Sequence, residues 1–306
     1  MKKLPTVSIG IPAYNEEKNI ANILNSLMHQ KRNAFFLKRI TVYSDGSNDK
    51  TCEIVKKFHK DFPVIHLVRA KERRGKMFRL NQIFHNCNSD ILVTLDADIG
   101  ISGKNFLDKL SSDLIADPKA KMVAAHQIPL KPQNFFGKVV YTSFSMWDYI
   151  RLNMPSCDHV QNFYGAATAY RGSFARELHI PEGLSEERLY IYLMAKKSQG
   201  FRYCREAEIV YWPVSTWYDL TRIANRVFGK TQVKLDKFFE FDTSKYYVIP
   251  WRYKLIGLVK SFLHDPFYSP LALLLNLFLG RLRPKKMIID TPLWEISLST
   301  RKAIKI

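Results

Sequence analysis

Val7-Ser8-Ile9-Gly10-Ile11-Pro12-Ala13-Tyr14-Asn15-Glu16-Glu17 runs from a short β-branched stretch straight into a polar turn. Beyond it, Ile20, Ile23, Leu24 and Leu27 recur at helical spacing and share one face. Asn15 is positioned to cap that helix, with Glu16 and Glu17 in its first turn, where the helix dipole favours carboxylates. A strand feeding a helix is the unit from which parallel sheets are built. The pattern recurs, with strands expected at residues 40–43, 64–68 and 91–95. Helices are expected after Asp49, with Ile54, Val55 and Phe58 inward, and over residues 77–85. The class is therefore α/β, with a mostly parallel central sheet.

After residue 125 the alternation fades. A strand is expected near 163–170, a helix near 187–198 and a long helix near 218–239. From about residue 246 the character changes again, to aromatic and apolar residues followed by an uncharged run at 266–280. That run has 15 residues, fewer than the roughly 20 that span a bilayer, so a packed or interfacial helix is favoured over a full span. From Lys245 onward the chain holds 11 Lys+Arg against 3 Asp+Glu, including Arg281, Arg283, Lys285 and Lys286 just past the apolar run. Cations beside apolar surface suit an anionic membrane surface. A helix packed on the domain or on a second copy is the alternative.

The whole chain of 306 residues carries 47 Lys+Arg and 28 Asp+Glu, a formal net charge of +19. This implies anionic partners: nucleic acid, phosphorylated small molecules or acidic lipid. No nucleic-acid recognition motif is present, so nucleic acid is not expected. Cys52, Cys87, Cys157 and Cys204 are far apart without a CxxC pair, which suggests free thiols rather than a zinc site or a disulfide framework. The first residues lack the apolar stretch of a signal peptide. These features lead to the expectation of a cytoplasmic protein, with peripheral attachment to the inner face of the membrane left open.

In open α/β sheets ligands sit beyond the carboxyl ends of the strands. Three polar clusters lie there: Pro12 to Glu16, Ser44-Asp45-Gly46-Ser47-Asn48-Asp49, and Asp96-Ala97-Asp98. Singly, the first two read as ordinary turn and cap residues. The two carboxylates of the third, spaced i, i+2 after Ile91-Leu92-Val93-Thr94-Leu95, would lie about 7 Å apart in extended backbone. Like charges so close call for a cation, and oxygen ligands favour Mg²⁺ or Mn²⁺.

With Gly75-Lys76 through Asn81 added, the order and spacing of these stretches resemble the family 2 glycosyltransferases, which have the GT-A fold. The resemblance implies a Rossmann-like nucleotide-sugar-binding half at 1–125, an acceptor-binding and catalytic half at 126–245, and a basic, apolar extension at 246–306. It implies that Pro12, Tyr14, Glu16, Asp45, Lys76 and Asp96 form the nucleotide site, that Asp45 bonds the base, and that Asp98 with Asp96 holds the metal on the diphosphate. The loop Arg73-Arg74-Gly75-Lys76, with Arg79, resembles the segment that closes near the nucleotide. Phe163 to Arg171, led by Gly165, resembles the strand beneath the donor sugar. Glu187 stands where the family carries its acidic pair and is the candidate general base, with Glu186 as alternate. Arg222 and Arg226, one helical turn apart, are candidates for holding phosphate where processive members carry a glutamine, arginine and tryptophan motif that is not intact here. His264 alone follows His179, so the metal is expected to be thinly held and donor-dependent.

The activity implied is inverting transfer of a sugar from a nucleotide diphosphate donor to a hydroxyl or phosphate acceptor, lipid-linked or on a growing cell-surface glycan. Two rivals are a sugar-phosphate nucleotidyltransferase, which would be expected to open with a Gly-rich phosphate loop, and a non-catalytic basic membrane- or nucleic-acid-binding module.

Overall fold

The computed structural model describes residues 3–184, 187–228, 231–281 and 297–304. In chain order the first half holds β1 (Thr6–Ala13), α1 (Ile20–Met28), β2 (Phe36–Ser44), α2 (Thr51–Asp61), β3 (Ile65–Arg69), α3 (Lys76–His85), β4 (Ile91–Leu95), β5 (Ile99–Ile101), α4 (Phe106–Ala116) and β6 (Met122–Pro129). There follow α5 (Phe135–Arg151), β7 (Ala167–Arg171), α6 (Gly172–Glu177), α7 (Arg188–Lys196), β8 (Phe201–Tyr211), α8 (Trp217–Phe228), α9 (Thr231–Phe239), α10 (Trp251–His264) and α11 (Tyr268–Arg281).

One eight-stranded sheet runs in the order β3-β2-β1-β4-β7-β6-β8-β5. β1 pairs in parallel with β2 and β4, and β2 with β3, as βα repeats require. β7 enters antiparallel between β4 and β6. Along β4 the side chains alternate between two cores: Ile91, Val93 and Leu95 join α1, α2 and α4 on one face, and Leu92 joins α3, α6 and α7 on the other. This two-sided burial explains the unbroken apolar run of the strand.

The expected strand at 91–95 coincides with β4, those at 7–11 and 40–43 are cores of the longer β1 and β2, and that at 64–68 is shifted by one residue from β3. The first helix differs. It starts at Ile20 behind Asn19, because the turn ahead of it does other work. Asn15 adopts φ 54°, its side chain accepts from Asn48 N (2.9 Å) and its own N–H donates to Ser47 Oγ (3.1 Å). Glu16 N–H donates to Thr51 Oγ1 and Glu17 N–H to Asp49 Oδ2. The residues read as a cap therefore lace the β1 and β2 loops together. The expected helix at 218–239 is divided into α8 and α9, with residues 229–230 outside the described part.

α10 and α11 lie against α5 rather than on the sheet, in a small cluster around Val139, Met146, Ile150, Tyr253 and Ala272. Among the described residues no helix is long and apolar enough to cross a membrane. α10 is held by one stripe, Tyr253, Gly257 and Ser261, at i, i+4 spacing. A Cβ at Gly257 would stand 2.2 Å from Ile150 Cγ1 and 2.9 Å from its backbone nitrogen, so the backbones themselves are in near contact. Gly257→Ala should lower stability in urea unfolding by about 1–3 kcal/mol through overpacking, outweighing the roughly 1 kcal/mol that alanine gains in helix propensity. A stabilised variant would contradict this packing.

Candidate active site

The carboxyl ends of β1, β2 and β4 open on a cavity of about 750 Å³. Pro12, Tyr14, Glu16, Asp45, Lys76, Asp96, Asp98 and Glu187 all line it. Eight side chains from five separate chain segments are thus brought together as the sequence suggested.

Asp45 is buried, and its carboxylate is bound by the chain itself. Arg74 N–H donates to Oδ1 and Gly75 N–H to Oδ2, each at 2.8 Å, while Arg79 Nε donates to Oδ1 at 2.7 Å. Three of its roughly four acceptor sites are filled. This clamp fixes the loop ahead of α3 and so aims Lys76, whose ammonium meets Asp96 at 2.7 Å and Glu187 at 3.3 Å. Burial alone would push Lys76 down, but the two carboxylates hold it above the ordinary ammonium range. Burial pushes Asp96 up and Lys76 pulls it back, leaving it at about 6.

Glu187 is 2% exposed. Its Oε1 lies against Gly165, whose φ of +76° and absent Cβ leave the room: a Cβ there would be 2.6 Å from that oxygen. Gly165 therefore acts through Glu187. Glu187 Oε2 is buried and has no hydrogen-bond partner among the described residues, an acceptor that normally requires one.

At the opposite end, burial and the neighbouring Asp98 charge push Glu16 up to about 8, against the pull of Arg301. An acidic pair so poorly compensated fits a cation. Among the described residues no three His, Cys, Asp or Glu side chains are grouped closely enough to hold one alone, so a metal here would need substrate oxygens as well, the usual condition of Mg²⁺.

Other expected residues lie elsewhere. Arg222 does not line the cavity. α8 turns Leu220 and Ile223 towards it, and Arg222 donates to Tyr218 Oη at 3.1 Å. Glu186 and the side chain of Arg226 lie outside the described residues, as do Arg283, Lys285 and Lys286. Sequence reasoning missed Arg151, buried beneath Tyr164 and bonded to Asp148. It also missed Arg301, which lines the cavity, donates to the Tyr14 carbonyl at 2.7 Å and approaches Glu16 at 3.6 Å. Residues 297–304 form a strap: Ser299 N–H donates to Asp219, Ile304 N–H to Asn19 Oδ1, and Asn22 Nδ2 to the Ile304 carbonyl.

The model of glycosyl transferase family 2 matches residues 8–178, more than half of the chain. The chain belongs to that family. The chain is 36% identical over 102 residues to the uncharacterized glycosyltransferase YfnE of Bacillus subtilis, a match covering 33% of this chain and 25% of YfnE. It is 30% identical over 97 residues to the dolichyl-phosphate beta-glucosyltransferase ALG5A of Trichomonas vaginalis, covering 30% of each. The matched stretches thus span less than a third of either relative. In fold it resembles the mannosyltransferase PcManGT of Pyrobaculum calidifontis, solved with GDP-Man and Mn²⁺, with TM-score 0.56 and 20% identity over 94% of this chain and 78% of that one. The sheet is accordingly that of the GT-A glycosyltransferases.

Glu16 yields a test. Its carboxyl, raised from 4.5 to about 8, keeps its proton in the fold where the unfolded chain has lost it. The stability linked to that proton is complete below the unfolded value and lost as pH rises through 8. Urea unfolding between pH 5 and 8.5 should show Glu16→Gln losing less stability than the wild type, by at least about 1 kcal/mol; parallel curves would rule out the raised carboxyl.

Proposed function

We propose that the enzyme is a metal-dependent, inverting glycosyltransferase that moves a sugar from a nucleotide diphosphate donor to an acceptor hydroxyl or phosphate. The unpartnered Oε2 of Glu187, buried in the same cavity as Asp98, carries this reading. It is the acceptor atom an incoming hydroxyl would occupy.

On this reading residues 1–125 bind the donor and 126–245 the acceptor. Tyr14 and Pro12 flank the nucleotide, and Asp45 keeps one acceptor site for the base. Asp98, with Asp96 beside it, would hold Mg²⁺ or Mn²⁺ together with substrate oxygens, and the Mn²⁺ and GDP-Man in the similarly folded PcManGT support this chemistry. A bound cation would supply neutralisation of charge on the departing diphosphate. Arg301 adds a guanidinium matched to phosphate. Glu187 accepts the proton of the acceptor hydroxyl as its oxygen bonds to the anomeric carbon and the bond from that carbon to the diphosphate oxygen breaks. Lys76 keeps both carboxylates oriented. Where the acceptor is already an ionised phosphate, Glu187 has no proton to take.

We further propose that residues 246–306 bind peripherally to an anionic membrane on its cytoplasmic side. α10 turns Trp251, Leu255, Val259 and Leu263 outward, opposite its buried stripe, and Lys254 and Lys260 flank that apolar face. This distribution suits a helix lying in the interface.

Glu187→Gln should retain donor binding yet lose roughly 10²–10⁴-fold in kcat. Unimpaired transfer would move the base elsewhere. Asp98→Ala should abolish transfer in a protein that still folds, and wild-type turnover would remove it from the metal site. Arg301→Ala should raise donor KM about tenfold, the value of one charge-assisted hydrogen bond.

A further inference from the structure

The geometry points to a binding site for the hydrocarbon chain of a lipid-linked, phosphate-bearing acceptor, in an apolar groove between α5, α8 and α11. The groove measures about 650 Å³, within the roughly 300–1,000 Å³ usual for ligand pockets. Phe135 and Val139 of α5, Trp217 of α8, and Leu271, Leu275 and Phe278 of α11 wall it, and no lining side chain is charged. Trp217 and Phe278 meet ring to ring at 5.6 Å, yet both remain more than two-fifths exposed.

An open apolar surface alone would say little, but this one leads to the active site. The same three helices wall the catalytic cavity with adjacent positions: Val140 beside Val139, Leu220 one turn beyond Trp217, and Leu279 beside Phe278. Leu275 lines both spaces. An amphiphile can therefore rest its chain along α11 and extend its head past Leu275 towards Glu187. Arg188 lines the cavity it would enter, and a guanidinium group suits a phosphate head.

The surroundings favour a lipid over a peptide as occupant. α11 carries no charge before its last residue, Arg281, and the lining of the groove is uncharged, so its walls offer no ionic partner for a polypeptide. The adjoining α10 presents its apolar, lysine-flanked face on the same helical hairpin. A lipid held in a bilayer at that face would reach the groove without its chain crossing water, which avoids about 25 cal/mol for each Å² of apolar surface otherwise exposed.

This inference rests on the transferase reading, and the test separates the two. The probe is dodecyl phosphate carrying a diazirine at the far end of its chain, applied as monomers to the full chain. Photolabelled residues are mapped by mass spectrometry, and stabilisation by a panel of nucleotide sugars with Mn²⁺ is followed in parallel. Labelling should fall on the α5 and α11 walls, compete with unlabelled dodecyl phosphate, and resist inorganic phosphate. Leu274→Glu and Phe278→Glu, at positions exposed enough to accept charge, should each cut labelling about tenfold by burying an unpaired carboxylate against the chain, with donor stabilisation unchanged. Labelling confined to the outer face of α10, or indifferent to both substitutions, would overturn the groove. So would sedimentation showing a dimer that the same substitutions dissociate. Donor stabilisation without groove labelling defeats the groove alone; groove labelling with no response to any nucleotide sugar defeats the transferase reading and the acceptor assignment with it.

Discussion

Asp45 is a carboxylate taken out of water and surrounded by donors from one short segment, the turn that leads into α3. Its desolvation costs several kcal/mol, and hydrogen bonds to a charged group return roughly 1.5–3 kcal/mol each. The two backbone N–H groups and the Arg79 guanidinium together offset that cost, so the charge can stay buried. In exchange the turn has one conformation. Because it has one, Lys76 enters the cavity at a fixed point and holds Asp96 and Glu187, which belong to distant segments. The spatial relation between the donor-side and acceptor-side carboxylates thus descends from an anion that touches neither.

The cavity is electrostatically lopsided. At the Lys76 end two carboxylates share one ammonium. At the Glu16 end Arg301 draws on an acidic pair without offsetting its burial, and Glu16 keeps a proton well above the pH at which a free carboxyl loses it. The first end keeps an open acceptor on Glu187, and the second is built to gain positive charge. Such a division suits a reaction in which an anionic group departs from one side while a proton is accepted on the other.

The parallel half of the sheet was legible because β-branched runs recur along it, and in β4, buried on both faces, Ile91 to Leu95 reads as an unbroken apolar run. β6 and β8 were not legible, for local reasons. β6 buries His126 and Gln127 among small residues, and β8 looks charged where its register with β6 shifts, so that Ala125 faces Cys204 but His126 faces Glu208. α5 is rich in aromatic and β-branched residues, a strand-like composition that packing against α10 and α11 overrides. At the site, turn chemistry identified the loops, though not their tasks. Asn15 has the composition of a helix cap and serves as a clasp between two loops. Arg222 sits at the expected place on a helix whose rotation turns it aside. Arg301 gave no signal, since nothing local marks a residue that bonds a partner 287 positions away.

That separation bears on the order in which the molecule is made. A chain emerging from the ribosome at roughly 5–20 residues per second folds its early units first. The sheet edge that carries Pro12, Asp45 and Asp98 can form once β4 and its neighbours are out, and closing a loop of nearly the whole chain then adds only a slowly growing entropy cost. The strap that brings Arg301 to Tyr14 arrives after them. Until residue 304 has been synthesised and seated on Asn19 and Asn22, the nascent protein holds a folded sheet and an open cavity, lacking the guanidinium that balances Glu16. Completion of the site is thereby coupled to the synthesis of residues 301–304.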